Sequence, residues 1–590
     1  MKPLVLGYDA VQRPVRLGPV ERNTHMHVIG SAGSGKSKFL EWMIRGDLRN
    51  RQGFCLLDPH GTLYEDVLKY CAYKVVSSDI ILLNPASPDV VIGFNPFQRS
   101  PGGDVSVQVD RRIKATMHAW NVEDTDQTPT LERTLRLIYT VLIEQNLSLP
   151  LAQHLVDFNA QEIRDHLVGN LESPLIQREW QELQRLRATD WRAEVLSAKN
   201  RLFRLLSSSA LTRFVGLPRP GLNVQQVMDE GKILLVNLRP SDQLSRENAR
   251  IFGALLVNEF FEAALRRQED RAGRDPRPYY LYIDEFQEFV SLDISKMLDQ
   301  VRKFGLFAIL SHQRFGQLSE DLIDSLSNCH IKAVFGGLPV KWARYMAEEM
   351  FIGDLDPKKI KVAIYQTKCW PTYTRDKVYT KGTTHSTIVG STESFASGLS
   401  SANATGSFFQ PNDWFGSTLA GTSSIASSGS SQMSGRGSSS GEAHGGIESE
   451  ADIPILLPVP FQELSSVQYY SPEEQLIDLT AALKNQFPRH CFIKIGRAQT
   501  QPMLVPLVKE VRTPQNYVRY VDSLFTKHNA IPAAEADRLI KDQEHALLQA
   551  ASSSSSKDSG RSQHKPKTPR KPPEPNPFDE ILEEDEQQES

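Results

Sequence analysis

The feature that most constrains the fold is a glycine-rich loop near the start of the chain. Residues 30–37 read GSAGSGKS and match the pattern G-x-x-x-x-G-K-[ST] at every fixed position. The loop follows a short apolar run at 26–29 and precedes a helical pattern that begins near Phe39. In this arrangement, consecutive backbone N–H groups and a helix N-terminus bind the phosphates of a nucleoside triphosphate. The alternative is an ordinary Gly-rich turn, and the strand-to-helix context argues against it.

The loop also predicts the contacts of the nucleotide and its metal ion. Lys36 is expected to reach the β- and γ-phosphates of ATP, and the Ser37 hydroxyl is expected to hold Mg²⁺. The predicted nucleotide-binding residues are Gly30, Ser31, Ala32, Gly33, Ser34, Gly35, Lys36 and Ser37.

Composition excludes some classes of function. The 590 residues predict roughly two to four domains of about 100–200 residues each. A formal net charge of −4 argues against a surface that is basic throughout, although it allows local basic patches or a positive pore. The five cysteines form no C-x-x-C pair, which favours a reducing compartment over a disulfide framework or a zinc site.

The sequence shows no signal for membrane insertion. Its start lacks the basic segment and apolar core of a signal peptide, and no stretch approaches about 20 uninterrupted apolar residues. We therefore expect a cytoplasmic protein, with any recruitment to the inner membrane going through a partner.

Seven short runs of apolar residues predict the strands of one sheet. The runs are near-continuous rather than alternating, which is typical of strands covered on both faces in a mostly parallel α/β sheet. They are 26–29, 54–57, 80–83, 233–237, 280–283, 306–310 and 331–335.

The remaining segments predict the domain organisation. Helical spacing without a good strand predicts an all-α domain inserted at 105–217; the alternative is that these are surface helices of one large domain. The α/β core then comprises 1–104 and 218–382. Low apolar content predicts disorder in the Ser/Gly-rich segment 383–449 and in the charged tail 551–590. Between these two segments, 450–550 is expected to form a small C-terminal α/β region, with a strand pair at 491–495 and 503–508.

A second apolar run ends in two carboxylates and predicts the rest of the nucleotide site. Residues 279–285 read YYLYIDE. Asp284 suits the role that orients the water shell of Mg²⁺, and Glu285 suits a base that polarises the attacking water. Two acids at a strand end are common on their own, and the phosphate loop makes the catalytic interpretation the stronger one.

The next strand supplies a polar tip and candidate arginines. Gln313 is predicted to contact the γ-phosphate and the water as a sensor, with His312 as the alternative. Hydrolysis also needs positive charge against the developing charge, which ring ATPases often take from a neighbouring subunit. Arg302 and Arg314 are the candidates, and a surface ion pair is the alternative for either.

The order of motifs resembles that of the HerA/FtsK superfamily of DNA-pumping ATPases. Within it, the chain looks most like the conjugative coupling proteins of type IV secretion, the TraD/TraG group, over roughly residues 20–345. The motifs are GSAGSGKS, LLDPHG at 56–61, GFNPF at 93–97, GKILLVNL at 231–238, YIDEFQ at 282–287, VRKFGLFAILSHQ at 301–313 and NCHIKAVFGG at 328–337. The LLDPHG motif leans towards HerA and its relatives.

The resemblance implies a RecA-like core, a homohexameric ring and DNA threading through a central channel during ATP hydrolysis. It implies that Lys36 and Ser37 bind nucleotide and Mg²⁺, that Asp284 and Glu285 serve hydrolysis, and that Gln313 is the sensor. In coupling proteins the helical insert helps recognise relaxosome or substrate proteins, so a relaxase or secretion-channel proteins are the expected partners.

Three functions remain open from the sequence. The first is an ATP-hydrolysing DNA translocase of the coupling type, serving type IV secretion or conjugative transfer. The second is a HerA-like motor that works with a partner nuclease in DNA end processing or phage defence. The third is an adaptor that uses ATP only to gate the recruitment of cargo.

Two groups of basic residues in the helical region are candidate contacts for DNA phosphates. A solvated helix face is the more favoured interpretation of both. The groups are Arg201, Arg204 and Arg213, and Arg111, Arg112 and Lys114.

Overall fold

The computed structural model describes most of the chain. The described residues are 2–76, 79–100, 102–120, 129–219, 221–267, 276–289, 298, 300–387, 400–407, 420–427, 442–528 and 530–559. The remainder of the segment 383–449 and residues 560–590 of the predicted tail lie outside these ranges.

The strands fall into one large sheet and three small two-stranded sheets. In chain order they are β1 (Leu4–Tyr8), β2 (Pro14–Leu17), β3 (Met26–Ile29), β4 (Phe54–Asp58), β5 (Ile80–Leu83), β6 (Val90–Val91), β7 (Ile233–Asn237), β8 (Tyr279–Ile283), β9 (Leu306–His312), β10 (Ile331–Phe335), β11 (Ile360–Thr387), β12 (Ser400–Ser407), β13 (Ala420–Ser427), β14 (Glu442–Tyr469), β15 (His490–Ile495), β16 (Gln501–Leu504) and β17 (Ile531–Pro532).

The large sheet contains all seven predicted strands as its parallel part. Its order is β2-β1-β16-β15-β10-β3-β9-β8-β4-β7-β5. From β10 to β5 every neighbouring pair is parallel, and these strands are almost wholly buried. The predicted fold class, a RecA-like α/β P-loop core around a mostly parallel sheet, is therefore confirmed. Because the strands are parallel, their carboxyl ends meet at one edge of the sheet, where ligands bind in open α/β folds.

The helices cover both faces of this sheet and form most of the segment between β6 and β7. They are α1 (Pro19–Arg22), α2 (Lys36–Asn50), α3 (Thr62–Lys74), α4 (Val105–Ala119), α5 (Pro129–Glu144), α6 (Ala152–Val156), α7 (Gln161–Gly169), α8 (Pro174–Gln184), α9 (Ala188–Leu206), α10 (Ser209–Gly216), α11 (Val224–Glu230), α12 (Arg246–Arg266), α13 (Glu320–Ser327), α14 (Val340–Phe351), α15 (Pro472–Lys484), α16 (Tyr517–Lys527) and α17 (Ala533–Ser559).

The segment predicted as an inserted all-α domain consists of helices and short connecting loops in its described residues. Helices α4 to α10 lie within 105–217, and the described residues of that range contain no strand. Helix α4 packs against both α5 and the core helix α12, and the apolar residues of the three helices belong to one continuous cluster. The boundaries of a separate inserted domain stay a prediction.

The C-terminal strands extend the large sheet. Strands β15 and β16 pair antiparallel with each other, close to the ranges predicted for a strand pair. In addition, β15 pairs antiparallel with β10, and β16 pairs with β1. The polypeptide after residue 470 therefore completes one side of the nucleotide-binding core.

Residues Lys358–Tyr469 form a compact unit of their own. In it, β11 and β14 pair antiparallel over their length, and β12 pairs with β13. Strands thus cover parts of 383–449, the segment for which we predicted disorder. Likewise α17 runs to Ser559, into the predicted disordered tail. Within the described ranges, no helix combines the length and apolar character needed to cross a membrane.

Candidate active site

The phosphate loop occupies the turn between β3 and α2. Gly33 and Gly35 adopt positive φ angles of 76° and 108°, which side chains rarely tolerate, so the loop needs glycine at both positions. At Gly30 an added Cβ would lie 2.5 Å from Cβ of Phe335 on β10. The loop therefore approaches the sheet so closely at Gly30 that only glycine fits there.

The loop is also fixed by hydrogen bonds from distant parts of the chain. The amide of Ser31 donates to the carbonyl of Gly336 (3.1 Å), which follows β10. The amide of Arg489 donates to the carbonyl of Ser34 (2.8 Å), and Arg489 itself has a positive φ of 69°. The C-terminal segment therefore forms the outer wall of the loop.

Lys36 is the buried cation of this loop. Its Nζ donates to the carbonyl oxygens of Gly30 (2.6 Å) and Ser31 (3.1 Å), and only 5% of the residue is exposed. Burial lowers the pKa of Lys36, while the nearby carboxylates of Glu285 and Asp284 act in the opposite direction. The structure thus brings the loop and the predicted acidic pair into one electrostatic site.

Strand β8 delivers that acidic pair to the same edge of the sheet. Strand β9 lies between β3 and β8, so the two strands are not neighbours, but all three are parallel and end together. Asp284 follows β8 and is buried. Burial, together with the charges of Glu285 and Asp58, raises the pKa of Asp284 to about 6. A carboxylate in such surroundings is suited to the shell of a divalent cation, which would favour its ionised form.

Asp58 is a third carboxylate that our sequence reasoning did not assign to the site. It ends β4 and is fully buried, and its oxygens accept hydrogen bonds from the amides of His60 (2.9 Å) and Tyr64 (2.8 Å). These bonds fix the start of α3. The position of Asp58 in LLDPHG, directly after a buried strand, is the signal that was available in the sequence.

Glu285 is held by two amide side chains. Its backbone is left-handed, with φ 48° and ψ 52°, and only 7% of the residue is exposed. Gln313 Nε2 donates to Oε1 (2.5 Å), and Gln287 Nε2 donates to Oε2 (2.9 Å). Both carboxylate oxygens of the predicted base are therefore engaged in this arrangement. Gln287 was missed as a site residue, and its place two residues after Glu285 is the only sequence signal for it.

His312 is packed in the core beside the sensor position. Its Nε2 lies 2.8 Å from Nε2 of His27 on β3, and the two rings stack at a centroid distance of 5.0 Å. Burial lowers the pKa of His312 to about 3 and that of His27 well below its usual value. One ring donates and the other accepts, so the pair links β3 to β9 as neutral imidazoles.

This histidine pair predicts that the protein loses stability in mild acid. On unfolding, each ring regains an ordinary pKa near 6.5 and binds a proton below it, so stability falls as pH decreases from about 6.5. For His312 the loss between pH 6.5 and 4.5 is expected to be about 2–3 kcal/mol. Urea unfolding across this range should show a shallower pH dependence for His312→Gln than for wild type. Equal slopes for the two proteins would contradict the assignment of a neutral buried pair.

The predicted arginines lie at opposite edges of the sheet. Arg302 is exposed in a turn before the amino end of β9, away from the phosphate loop of its own chain. Arg314 follows the carboxyl end of β9 and lines a cavity beside Glu285 and Gln313.

Several of the basic residues considered for DNA have structural partners, including Arg201 with Ser197 and Arg204 with Glu247. Arg112 is fully buried and pairs with Glu259 and Glu262 of α12. Arg213 makes a bidentate contact with Asp537 of α17, at 2.8 and 2.9 Å. For Arg112 both interpretations, the favoured solvated helix face and the phosphate contact, are wrong, because its guanidinium has no access to solvent.

The residues present fit a nucleotide with Mg²⁺. Mg²⁺ takes few protein oxygens and several from phosphate and water, and Ser37 with Asp284 offers such a set. In the part of the chain that the structure describes, there is no cluster of three or more His, Cys, Asp or Glu residues that would hold a metal without substrate oxygens.

A phosphate loop after β3, an acidic pair after β8 and a polar residue after the intervening β9 together define a P-loop NTPase. No family model and no curated protein matches the chain. Solved structures similar to it include "Bacterial conjugative coupling protein TrwBdeltaN70" (14% identity, TM-score 0.46, covering 87% of this chain and 91% of that one) and "Plasmid coupling protein TrwB in complex with ADP and Mg2+" (13% identity, TM-score 0.46, covering 88% and 97%).

A third similar structure is VirB4 of Thermoanaerobacter pseudethanolicus (13% identity, TM-score 0.40, covering 60% of this chain and 88% of that one). The descriptions of the first two name conjugative coupling proteins, the group that the order of motifs resembles.

Proposed function

We propose that this chain is an ATPase that couples hydrolysis to the movement or recruitment of DNA, with its bound protein, in type IV secretion or conjugative transfer. The observation that carries the proposal is the meeting of Lys36, Asp284, Glu285 and Gln313 at one edge of the parallel sheet. An NTP-binding protein that does not hydrolyse needs neither a buried base nor a polar residue hydrogen-bonded to it.

The residues divide the work of hydrolysis between binding and proton transfer. The loop amides and Lys36 bind the phosphates, with Nζ moving from the carbonyls of Gly30 and Ser31 to phosphate oxygens. Ser37 and Asp284 would hold Mg²⁺, which neutralises charge on the transferred phosphoryl group when bound. Glu285 polarises the attacking water.

Gln313 and Gln287 decide when Glu285 is available. With both oxygens of Glu285 accepting amide hydrogen bonds, fewer of its lone pairs are open to a hydrogen bond from water. Gln313 ends the strand next to the phosphate loop, so a γ-phosphate would compete for its amide. Transfer of that amide to the phosphate frees Oε1 for the water, while Gln287 keeps the carboxylate oriented.

A ring assembly would complete the site. The exposed position of Arg302 at the opposite edge of the sheet supports a homohexamer in which a neighbour supplies this arginine. The proposal includes DNA as a partner, together with a relaxase or secretion-channel proteins. It also includes recruitment to the inner membrane through a partner.

The proposal predicts an ATPase rate that DNA increases. Phosphate release should be measured with and without single- and double-stranded DNA, alongside the particle mass with nucleotide bound. Stimulation should weaken as salt is raised, because phosphate contacts release counterions. ATPase activity that neither form of DNA changes would leave the nucleotide site standing and reject the role in DNA movement.

A further inference from the structure

The cavity that Arg314 lines opens at the carboxyl edge of the sheet beside the catalytic carboxylate. It has a volume of about 350 Å³ and lies between the loops after β4 and β7, the first turns of α12 and the turn after β8. Glu285, Gln287 and Gln313 form one wall. The phosphate loop does not line it, so the phosphates that the loop amides bind lie outside it, although Glu285 and Gln313 belong to both sites.

The lining of this cavity is rich in positive charge. Its cationic side chains are Arg246, Arg250 and Arg314, with the imidazole of His60 beside them, and its acids are Glu285 and Glu288. Glu285 serves the nucleotide site and binds amides. Among the described residues that line the cavity, the other carboxylate is that of Glu288.

Glu288 occupies the cavity in the way an external anion would. Arg246 Nη2 lies 2.7 Å from one of its oxygens, and Arg250 Nε lies 3.0 Å from the other. Two guanidinium groups on the two oxygens of one anion is also the geometry that phosphate favours, and phosphate carries more charge and more acceptor oxygens. Arg246 is three-quarters exposed, so an incoming anion has access to it.

The turn that carries Glu288 also carries a group that holds the base. Phe286–Glu288 is a single 3-10 turn, in which the amide of Glu288 donates to the carbonyl of Glu285 (2.9 Å). Gln287, in the middle of the turn, donates to Glu285 Oε2. Movement of Glu288 would therefore alter the support of the base directly.

We infer that this cavity binds a phosphate group that replaces Glu288 on Arg246 and Arg250. The phosphate comes either from a DNA backbone or from the inorganic phosphate pool that hydrolysis feeds. Binding itself is independent of the proposed ATPase function. The consequence, a changed position of Glu285, rests on that function.

Binding is tested on the full chain without nucleotide, so that failure of the ATPase proposal does not affect the result. The probes are inorganic phosphate, followed by calorimetry, and a fluorescein-labelled oligodeoxythymidine, followed by anisotropy at several salt concentrations. The double variant Arg246→Ala/Arg250→Ala should bind the relevant probe at least about tenfold more weakly. For DNA, the slope of the logarithm of the binding constant against the logarithm of the salt concentration should decrease by roughly one to two phosphate contacts.

The two sources give different outcomes. Loss confined to the oligonucleotide assigns the site to a DNA backbone, and loss confined to inorganic phosphate assigns it to the free anion. If the double variant binds both probes as wild type does, or if wild type binds neither, the inference is wrong. Arg538→Ala is the matched control, because Arg538 is an exposed helical arginine near one acid, Asp542.

Two further variants separate binding from folding and from coupling. If the double variant unfolds at a lower temperature than wild type, Arg246→Gln replaces it in the test. The Arg246 side chain is mostly exposed, so its loss should disturb little packing. Glu288→Gln should bind the probe more tightly than wild type. Its rate of ATP hydrolysis should also change less when the probe is added. If Glu288→Gln binds the probe more tightly but its rate of ATP hydrolysis responds to the probe as in wild type, the phosphate site is retained and its link to Glu285 is rejected.

Discussion

Replacing Glu285 with glutamine is expected to lower the rate of ATP hydrolysis by about 10²–10⁴-fold while nucleotide binding is retained. Glutamine has the same shape but cannot accept a proton from the attacking water. The phosphate loop and Lys36 are untouched by the change, so a fluorescent ATP analogue should bind with nearly the wild-type dissociation constant. Phosphate release under saturating ATP gives the rate.

The matched control for this experiment is Glu348→Gln. Glu348 is an exposed acid on α14 that pairs with Arg344, remote in function from the nucleotide edge. Its variant should hydrolyse ATP at the wild-type rate. A fall of less than about tenfold for Glu285→Gln would show that another group, with Asp58 as one candidate, accepts the proton.

Replacing Lys36 with alanine is expected to abolish measurable nucleotide binding. The ammonium group is already desolvated and aimed into the loop, where it forms two hydrogen bonds to carbonyl oxygens that phosphate oxygens would replace. Charge-assisted hydrogen bonds are worth about 1.5–3 kcal/mol each, so losing two should raise the dissociation constant at least about 150-fold. Equilibrium binding of labelled ATP with Mg²⁺ measures the effect.

Lys38→Ala provides a control from the same helix. Lys38 is partly exposed and pairs with Glu41 and Asp66, away from the loop carbonyls. Glu41 keeps a second partner in Arg45, so this variant should fold and bind nucleotide normally. If Lys36→Ala binds as tightly as Lys38→Ala, the loop does not hold the phosphates, and the proposed function fails with it.

The parallel part of the sheet was predictable because each of its strands is buried on both faces. That burial produces the short apolar runs that end at Ile29 and Ile283 and that carry the loop and the acidic pair directly behind them. The site residues that follow these strands were predictable for the same reason. All strands of a parallel sheet end at the same edge, so a residue that follows such a strand must lie at that edge.

The parts that escaped prediction depend on partners far away in the sequence. Gln287 supports Glu285 only because the chain turns back after β8, and such turns leave no periodic signal. Arg112 looked like a surface base, but its partners lie on α12, about 150 positions later. The pairing of β15 with β10 also depends on long-range packing, because an apolar run in the sequence does not indicate which strand it will pair with.

The contact between Arg489 and the carbonyl of Ser34 has a consequence for biosynthesis. The phosphate loop is synthesised before the segment that walls it, which follows the whole helical region and the paired strands β11 and β14. A nascent chain shorter than this cannot close the nucleotide pocket. ATP can therefore bind in the complete pocket only after the segment around Arg489 has been synthesised.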